Sequence, residues 1–381
     1  MLNTTEVNPG LEGVVAADTR LSSVDGQHGE LLIAGFPVET LAPKASFEET
    51  VYLLWHDTLP DIDRLAAFRH ELQAARALPP ATLELLHAAA MESIPPMDAL
   101  RMAAGTLSLP APGLVVSDAQ ATANAVVARF PTIIAAYWRL LHGDPLVDPD
   151  PQLDHAANFL YMLTGEIPHP ERTRGLETYL NTVVDHGLNA STFTARVIIA
   201  TGSDLVSAIT GAIGALKGPL HGGAPGPALD MVFEIGEVAS IDRVLRQKLA
   251  TGERLMGFGH RVYRVRDPRA DVLAVAAEHM YQAAGDMQLY TLAKAVEERA
   301  VALLAEHKPG RNLQTNVEFY TALLLHGLDL PTELFTPTFA ISRVVGWIAH
   351  CFEQQALHRI IRPQSIYHGP RDRQWVPLTE R

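Results

Sequence analysis

The sequence predicts an almost wholly helical protein with a short β-containing segment near its amino terminus. Apolar residues recur at the 3.6-residue spacing of amphipathic helices through most of the 381 residues. Prolines, glycines and capping residues separate these stretches from one another. Runs of alternating apolar and polar residues bounded by turns are scarce. Together these observations favour an all-α fold over an α/β fold.

The first 35 or so residues are rich in Gly and Asp around the apolar stretch "ELLIAGF", and they predict turns with two short strands. Ser46 begins the first long helix, because Glu49 three residues later completes a capping box. Further helices are predicted over residues 61–76, 80–91, 96–107, 117–129, 131–142, 153–163, 171–187, 189–201, 204–217, 222–235, 238–250, 268–283, 288–306, 315–327 and 337–356.

Composition restricts the classes of function. Apolar residues make up 48% of the chain, enough to bury a large core. The net charge of −13, without a Lys/Arg-rich block, argues against nucleic-acid binding. A single cysteine, Cys351, excludes a disulfide framework or a cysteine-based zinc site within one chain. No apolar run reaches the about 20 residues of a membrane span, and no signal-peptide pattern opens the chain, so a cytoplasmic protein without a membrane partner is expected.

A dense group of helix breakers lies beyond the middle of the chain, within residues 219–227. Such a cluster predicts a hinge or a domain boundary. His221 lies inside it, just before the helix predicted to open at residue 222. Burial and the positive end of a helix would hold the imidazole neutral and able to donate one hydrogen bond. The alternative is a solvated histidine in a surface turn.

Three other histidines have unusual settings. They are His186 in "VVDHGLNAS", His260 in "LMGFGHRVY" and His350 in "WIAHC". "GFGH" is not a dinucleotide fingerprint, because the third glycine and a preceding strand are missing. Its glycines could still let backbone amides approach a ligand closely beside His260. No carboxylate stands at ligand spacing from these histidines, so no metal site is expected.

Several arginines are informative as well. Arg343 interrupts the apolar stretch "FAISRVVGWIAH", and a buried guanidinium must either pair with an acid or bind an anion. A carboxylate ligand and an internal ion pair therefore both remain open as interpretations. Arg264, Arg266 and Arg269 crowd into "RVYRVRDPRA", where a solvated basic loop is the simplest interpretation of Arg264 and Arg266.

Taken together, these stretches resemble the citrate synthase family. "DHGLNASTFTARV", "LKGPLHGGA", "LMGFGHRVYRVRDPRA", "TNVEFY" and "ELFTPTFAISRVVGWIAHCFEQ" are similar to successive signature segments of that family, in the right order. The amino-terminal "VDGQHGELLIAGFPVETLAPKASFEETVYLLWHDTLP" resembles its opening segment. The resemblance covers nearly the whole chain.

The resemblance implies a helical homodimer with shared active sites and two domains per chain. Residues 1–223 and 329–381 would form the large domain, and residues 224–328 a small domain inserted in it. The implied activity is the condensation of acetyl-CoA with oxaloacetate, followed by thioester hydrolysis to citrate and CoA. No cofactor or metal is implied, since acetyl-CoA is a co-substrate. The alternatives are a 2-methylcitrate synthase that uses propionyl-CoA, a citryl-CoA-cleaving lyase, and a non-catalytic paralogue that binds CoA or dicarboxylates.

The resemblance also implies roles for individual residues. His221 matches the histidine that hydrogen-bonds the thioester oxygen, His260 the one that polarises the keto group of oxaloacetate, and Glu318 the acid that deprotonates the acetyl methyl group. Matches to the oxaloacetate or citrate site are His186, Arg269, Phe339, Arg343 and, from across the dimer interface, Arg362. Matches to the CoA site are Leu255, Met256, Gly257, Phe258, Gly259, Arg264, Arg311 and Asn316.

One departure from the family pattern affects the catalytic acid itself. The usual residue is an aspartate, and this chain has Glu318. The extra methylene moves a carboxylate by about 1.5 Å, and a misplacement of about 1 Å can cost on the order of a hundredfold in rate. The sequence therefore predicts either compensating neighbours or impaired activity. Pro225 and Gly226 also replace the commoner "HGGANE" wording after His221.

Overall fold

The computed structural model describes residues 7–110, 118–222, 225–260 and 262–381. The predicted domain boundary between residues 223 and 224 lies outside the described residues. Within them, a small sheet near the amino terminus is followed by helices almost throughout. The predicted all-α class is therefore confirmed. None of the described helices is both long enough and apolar enough to cross a bilayer.

The sheet is antiparallel and has three strands rather than the two predicted. They are β1 (Ser22–Asp25), β2 (Glu30–Ile33) and β3 (Phe36–Pro37), in the order β1-β2-β3. The turn between β1 and β2 packs against the chain near residue 262. A Cβ on Gly26 would lie 2.3 Å from the Val262 carbonyl oxygen, so this approach requires glycine.

The helices follow in chain order. They are α1 (Val38–Leu41), α2 (Phe47–His56), α3 (Ile62–Ala74), α4 (Pro80–Met91), α5 (Pro96–Ala104), α6 (Ala119–His142), α7 (His155–Thr164), α8 (Pro170–Thr182), α9 (Ala190–Ile199), α10 (Leu205–Leu216), α11 (Pro225–Ile235), α12 (Ile241–Ala250), α13 (Pro268–Ala284), α14 (Gln288–His307), α15 (Val317–Gly327) and α16 (Phe335–Leu357). Short 3₁₀ turns cover Gly105–Ser108, Val238–Ser240, Thr332–Leu334 and Leu378–Glu380.

The capping box predicted at the start of α2 is present. The Ser46 hydroxyl accepts a hydrogen bond from the Glu49 backbone amide, and the Glu49 carboxylate accepts one from the Ser46 amide at 2.7 Å. Both amides would otherwise lack a partner inside the helix. The local signal alone was therefore sufficient to locate this helix start.

The helix prediction fails at Pro131 and after Thr182, because tertiary contacts override local preference there. Residues 117–129 and 131–142 were predicted as separate helices, yet α6 runs through Pro131 without a break. Residues 123–137 of α6 are buried, and their packing outweighs the one hydrogen bond that a proline cannot donate. The helix predicted at 171–187 ends at Thr182, because the chain beyond it finds partners outside the helix.

The segment after α8 is held by residues distant in sequence. Its Val183 carbonyl accepts a hydrogen bond from Arg343 Nε at 2.9 Å, and Asp185 accepts one from the Ser22 hydroxyl at 2.5 Å. The long, buried helix α16 runs directly against this segment at Gly346. A Cβ at Gly346 would lie 2.5 Å from the Val184 carbonyl oxygen. Glycine thus permits the closest approach between α16 and the segment that carries His186.

We expect Gly346→Ala to destabilise the protein by about 1–3 kcal/mol, because the added methyl group must push α16 away from backbone atoms. The matched control is Gly175→Ala inside α8, where the nearest atom to a new Cβ is 3.5 Å away. That change should be neutral or stabilise by up to about 1 kcal/mol, because alanine favours helix. Thermal unfolding of both variants measures the difference. Equal midpoints would contradict the close approach.

Candidate active site

One cavity of about 820 Å³ brings together seven of the eight residues predicted for catalysis and substrate binding. Its lining includes His186, His221, His260, Arg269, Glu318, Phe339 and Arg343. These residues come from segments up to 157 positions apart in the chain, between residues 186 and 343. The cavity therefore exists only in the folded chain.

His260 has a tautomer that follows from its backbone contacts. Its Nδ1 accepts hydrogen bonds from the amides of Val262 at 3.0 Å and Tyr263 at 3.1 Å. An imidazole nitrogen that accepts carries no proton, so the proton of the neutral ring is on Nε2. Burial and the nearby Arg269 lower the pKa of His260 to about 4. His260 is thus a neutral hydrogen-bond donor through Nε2.

His221 is held by a hydroxyl group. Its Nε2 lies 2.7 Å from Ser191 Oγ, and that oxygen accepts a hydrogen bond from Trp347 Nε1 at 3.0 Å. Burial and the charge of Arg343 lower the pKa of His221 to about 4. The predicted helix start at residue 222 is wrong, because α11 begins at Pro225. Desolvation, rather than a helix dipole, therefore accounts for the neutral imidazole.

His186 completes a group of three histidines. Its Nε2 lies 3.2 Å from the Tyr263 hydroxyl, and its ring centroid is 6.0 Å from that of His260. Burial, together with Arg269 and Arg343, lowers its pKa well below the usual value. All three histidines are therefore neutral near pH 7, and the cavity's positive charge comes from its arginines.

Arg343 is 2% exposed, and its environment decides between the two interpretations left open by the sequence. Its Nε donates to the Val183 carbonyl, and its guanidinium lies 4.6 Å from the Phe339 ring centroid. Among the described residues no carboxylate forms an ion pair with it. Burial lowers its pKa to about 10, although Asp185 acts in the opposite direction. The internal-ion-pair interpretation is wrong for the described residues, and an uncompensated cation faces the cavity.

Arg269 differs from Arg343 because it has a carboxylate partner. Its Nε and Nη2 donate to the two oxygens of Asp267 at 3.0 and 2.8 Å. Both side chains are buried. Burial acts to lower the pKa of Arg269, but the Asp267 charge and hydrogen bonds raise it overall. The cavity thus contains one paired and one unpaired guanidinium.

Glu318 stands in the first turn of α15, whose N-cap is Asn316. The Asn316 side chain accepts a hydrogen bond from the Glu318 amide at 3.0 Å. Burial raises the pKa of Glu318, Arg269 opposes this shift and Asp267 adds to it. A carboxylate with a raised pKa is a stronger base than one in water.

Comparison with known proteins identifies the family. Residues 10–364 match the family model described as "Citrate synthase, C-terminal domain". The chain is 42% identical to the citrate synthase of Haloferax volcanii, with 99% of each chain covered. It is 38% identical to the 2-methylcitrate synthase of Shewanella oneidensis, covering 98% of this chain and 97% of that relative.

The chain belongs to the citrate synthase family. It is accordingly an enzyme, an acyltransferase of the citrate synthase type. The crystal structure of the Thermotoga maritima citrate synthase superposes with a TM-score of 0.85 at 38% identity, covering 99% of both chains. The ternary complex of the Thermoplasma acidophilum citrate synthase with carboxymethyl coenzyme A and oxaloacetate gives 0.87 at 29% identity, covering 99% of this chain and 100% of that one.

The loop predicted to receive CoA lies next to the cavity rather than in its lining. It comprises Leu255, Met256, Gly257, Phe258 and Gly259. Phe258 forms a β-bridge with Thr315, and the Gly259 amide donates to the Gln314 carbonyl at 2.7 Å. The Asn316 side chain donates to the Gly259 carbonyl at 2.8 Å. The side chain of Asn316 is thus used to connect this loop to the helix that carries Glu318.

Three predicted ligand arginines lie outside the cavity lining. Arg264, Arg311 and Arg362 are exposed, and Arg362 belongs to the segment without helix or strand that follows α16. Their roles stay predictions. Arg266, expected to be solvated, instead pairs with Asp271 and with the buried Glu297, so that interpretation is wrong.

Sequence reasoning missed several side chains that support the site: Ser191, Tyr263, Asp267 and Trp347. The sequence could have identified Asp267 as a helix N-cap, because an Asp followed by a proline is typical of an N-cap before a helix. No sequence pattern points to Ser191. Its contact with His221 joins residues 30 positions apart, and no local pattern encodes that approach.

The neutral histidines predict how stability depends on pH. An unfolded histidine titrates near 6.5, whereas folded His221 and His260 titrate near 4. The unfolded chain therefore binds protons more readily, and stability is lost as the pH falls from 6.5 toward 4. We expect His221→Gln to make this loss shallower, measured as the midpoint of urea unfolding against pH.

The control for this series is His28→Gln. His28 is exposed, and its hydrogen bond to Asp25 raises its pKa. Its contribution to stability is therefore fully present below pH 6.5 and lost only above it. The slope between pH 6.5 and 4 should match the wild type. A wild-type slope in His221→Gln would show that this histidine is already protonated in the folded protein.

Proposed function

We propose that this enzyme condenses acetyl-CoA with oxaloacetate and hydrolyses the product to citrate and CoA. One observation carries the proposal: three neutral histidines, a desolvated carboxylate and two buried guanidinium groups line one cavity. This set can abstract a proton, stabilise an enolate and hold a dicarboxylate, which are the three requirements of the reaction.

We assign proton abstraction from the acetyl methyl group to Glu318. The methyl group of a thioester is a very weak acid, so its deprotonation requires that the developing enolate oxygen be stabilised at the same time. We assign this stabilisation to Nδ1 of His221. The Ser191 hydroxyl has one proton and two acceptors, Asn189 Oδ1 at 2.8 Å and His221 Nε2 at 2.7 Å. We propose that in the active enzyme it donates to His221 Nε2, so that the ring proton is on Nδ1 and is donated as a hydrogen bond to the thioester oxygen.

Carbon–carbon bond formation follows at the keto group of oxaloacetate. His260 donates a hydrogen bond from Nε2 to the keto oxygen, which makes its carbon more electrophilic as the enolate attacks. The keto oxygen becomes an alkoxide and takes up a proton, which balances the proton that Glu318 removed from the methyl group, and the product at this stage is a citryl thioester. Water then attacks the thioester carbonyl and the carbon–sulfur bond breaks, so that the water oxygen stays on citrate and the CoA sulfur leaves as a thiolate that takes up a proton.

The carboxylates of oxaloacetate meet the two arginines. Arg343 supplies an uncompensated positive charge, and Phe339 packs against its guanidinium. Arg269 donates one hydrogen from Nε and one from Nη2 to Asp267, so both hydrogens of Nη1 and the second hydrogen of Nη2 can bind a ligand. In the proposed homodimer, Arg362 from a second copy of the chain adds a third guanidinium. Its exposed position after α16 is compatible with that role.

We also propose that residues 224–328 form a small domain that closes over the rest of the chain. His260, Arg269 and Glu318 lie within this range, whereas His186, His221 and Arg343 lie outside it. The two parts therefore contribute complementary halves of one cavity. Closure would expel water and bring the base, the donor and the substrate together.

Relatives named citrate synthase and a relative named 2-methylcitrate synthase both match over nearly the full length. The choice between acetyl-CoA and propionyl-CoA is therefore proposed from the site itself. Glu318 favours acetyl-CoA. Its carboxylate reaches one methylene further toward the reacting carbon than an aspartate would, which leaves less room for the additional methyl group of propionyl-CoA. Discrimination of a single methyl group is worth only about 1–3 kcal/mol.

We expect wild-type protein to release CoA from acetyl-CoA with oxaloacetate, and more slowly from propionyl-CoA. Glu318→Gln should lose at least about a hundredfold in kcat, because an amide cannot accept the proton. Free thiol released over time measures both. Glu298→Gln, which removes an exposed carboxylate from α14, is the matched control and should retain activity.

Two outcomes would contradict this assignment. Wild-type inactivity with both acyl donors, alongside intact CoA binding, would support a non-catalytic CoA-binding role instead. Full activity in Glu318→Gln would exclude this residue as the base.

Arg343→Leu should leave the fold intact and raise the KM for oxaloacetate by at least about a hundredfold, because the unpaired charge interacts with the substrate. Steady-state kinetics measures KM, and circular dichroism checks the fold. Arg64→Leu, at an exposed site on α3 away from the cavity, should leave the oxaloacetate KM unchanged. Global unfolding of Arg343→Leu would instead indicate that the guanidinium is a structural element.

A further inference from the structure

Asp267 contacts both Arg269 and the start of the helix that carries Glu318. It is 1% exposed and lies at the start of α13. Its Oδ1 accepts from the amide and Nε of Arg269, both at 3.0 Å, and its Oδ2 accepts from Nη2 at 2.8 Å. Asp267 therefore fixes the whole guanidinium plane and not only its charge.

The same carboxylate reaches the helix that carries the proposed base. Oδ2 of Asp267 accepts a hydrogen bond from the Val317 amide at 3.3 Å. Val317 is the first residue of α15, and Glu318 follows it directly. The start of α13 and the start of α15 are thus tied through one side chain.

The negative charge of Asp267 also affects the pKa of Glu318. A bare Arg269 guanidinium beside Glu318 would favour the ionised carboxylate and make it a weaker base. Pairing with Asp267 offsets that positive charge, and Asp267 also acts directly to raise the pKa of Glu318. Arg269 can then donate hydrogen bonds to a substrate while lowering the pKa of Glu318 less than an unpaired guanidinium would.

We propose that Asp267 is a positioning residue that couples the substrate-binding Arg269 to the base Glu318. This inference rests on the proposed function. Asp267 itself does not line the cavity. It acts through Arg269, whose orientation it sets, and through the electrostatic environment of Glu318.

Several other charged or titratable groups line the same cavity as Glu318. They are Tyr179 on α8, Arg269 on α13, Arg343 on α16, and His186, His221 and His260 from the connecting segments. Asp267 raises the pKa of His260 as well as that of Glu318, whereas the shift of His221 is caused by burial and Arg343. Removing the Asp267 charge therefore lowers the pKa of Glu318 and His260 together and leaves His221 unchanged.

The test is Asp267→Asn, assayed for CoA release from acetyl-CoA with oxaloacetate. The KM for oxaloacetate should rise by about tenfold or more, because Arg269 loses its bidentate partner. The acidic limb of kcat/KM for acetyl-CoA should move to lower pH, because the base becomes more acidic. A purely structural role would reduce activity without moving this limb.

Asp271→Asn is the matched control. It removes one carboxylate from the first turn of the same helix, but its partner is Arg266 rather than Arg269. Its oxaloacetate KM and acidic limb should equal those of the wild type. A shift as large as that of Asp267→Asn would mean that net charge at the start of α13 is responsible, and this would overturn the proposal.

A second pair of variants tests the contact if Asp267→Asn does not fold. Val317→Pro removes the amide that Asp267 binds, and Val317→Ala keeps it while shortening the same side chain. Proline is well tolerated at the first helical position after an extended residue such as Asn316. We expect kcat of the proline variant to be about tenfold below that of the alanine variant. Equal kcat values would overturn the proposal.

The outcomes separate this inference from the proposed function. Inactive wild-type protein with both acyl donors refutes the function. Active wild-type protein together with an unchanged KM or an unmoved acidic limb in Asp267→Asn refutes the coupling. Both changes together, with Asp271→Asn unaffected, support it.

Discussion

The burial of the Arg343 guanidinium is the constraint on which the rest of the site depends. A cation with 2% exposure and no described carboxylate partner is costly in a helical core. The chain offsets part of that cost by directing the Val183 carbonyl at Nε and placing the Phe339 ring against the guanidinium. The first contact requires α8 to end before residue 183, and the approach of α16 requires glycine at position 346.

The segment from Val183 to Gly187 is stabilised from its other side by a buried polar network. Asp185 accepts from the Ser22 hydroxyl and from His350, and His350 Nδ1 accepts from Arg196. The two groups that contact Asp185 directly, Ser22 and His350, are 163 and 165 positions away from it in the chain. A non-helical segment can therefore persist in the core, because its polar groups have partners there. His350 belongs to this support rather than to the cavity.

The unpaired charge also contributes to the state of the neighbouring groups. Burial is the main cause that lowers the pKa of His221 and His186, and Arg343 adds to it, so neutral imidazoles result. Neutral histidines can donate a hydrogen bond to a developing oxyanion without first losing a proton. The proposed base Glu318 requires the opposite environment, because nearby cations would lower its pKa. The pairing of Arg269 with Asp267 provides this, while Arg343 remains free to attract an anion.

The sequence by itself determined the features that local chemistry encodes. The capping box at Ser46 located α2, the proline at residue 80 marked the start of α4, and the family motifs indicated His221, His260 and Glu318. Only the tertiary structure decided the continuity of α6 through Pro131, the early end of α8, and the pairing of Arg269 but not Arg343. The physical reason is that a buried group's state depends on partners far away in the chain, and local residue preferences contain no information about them.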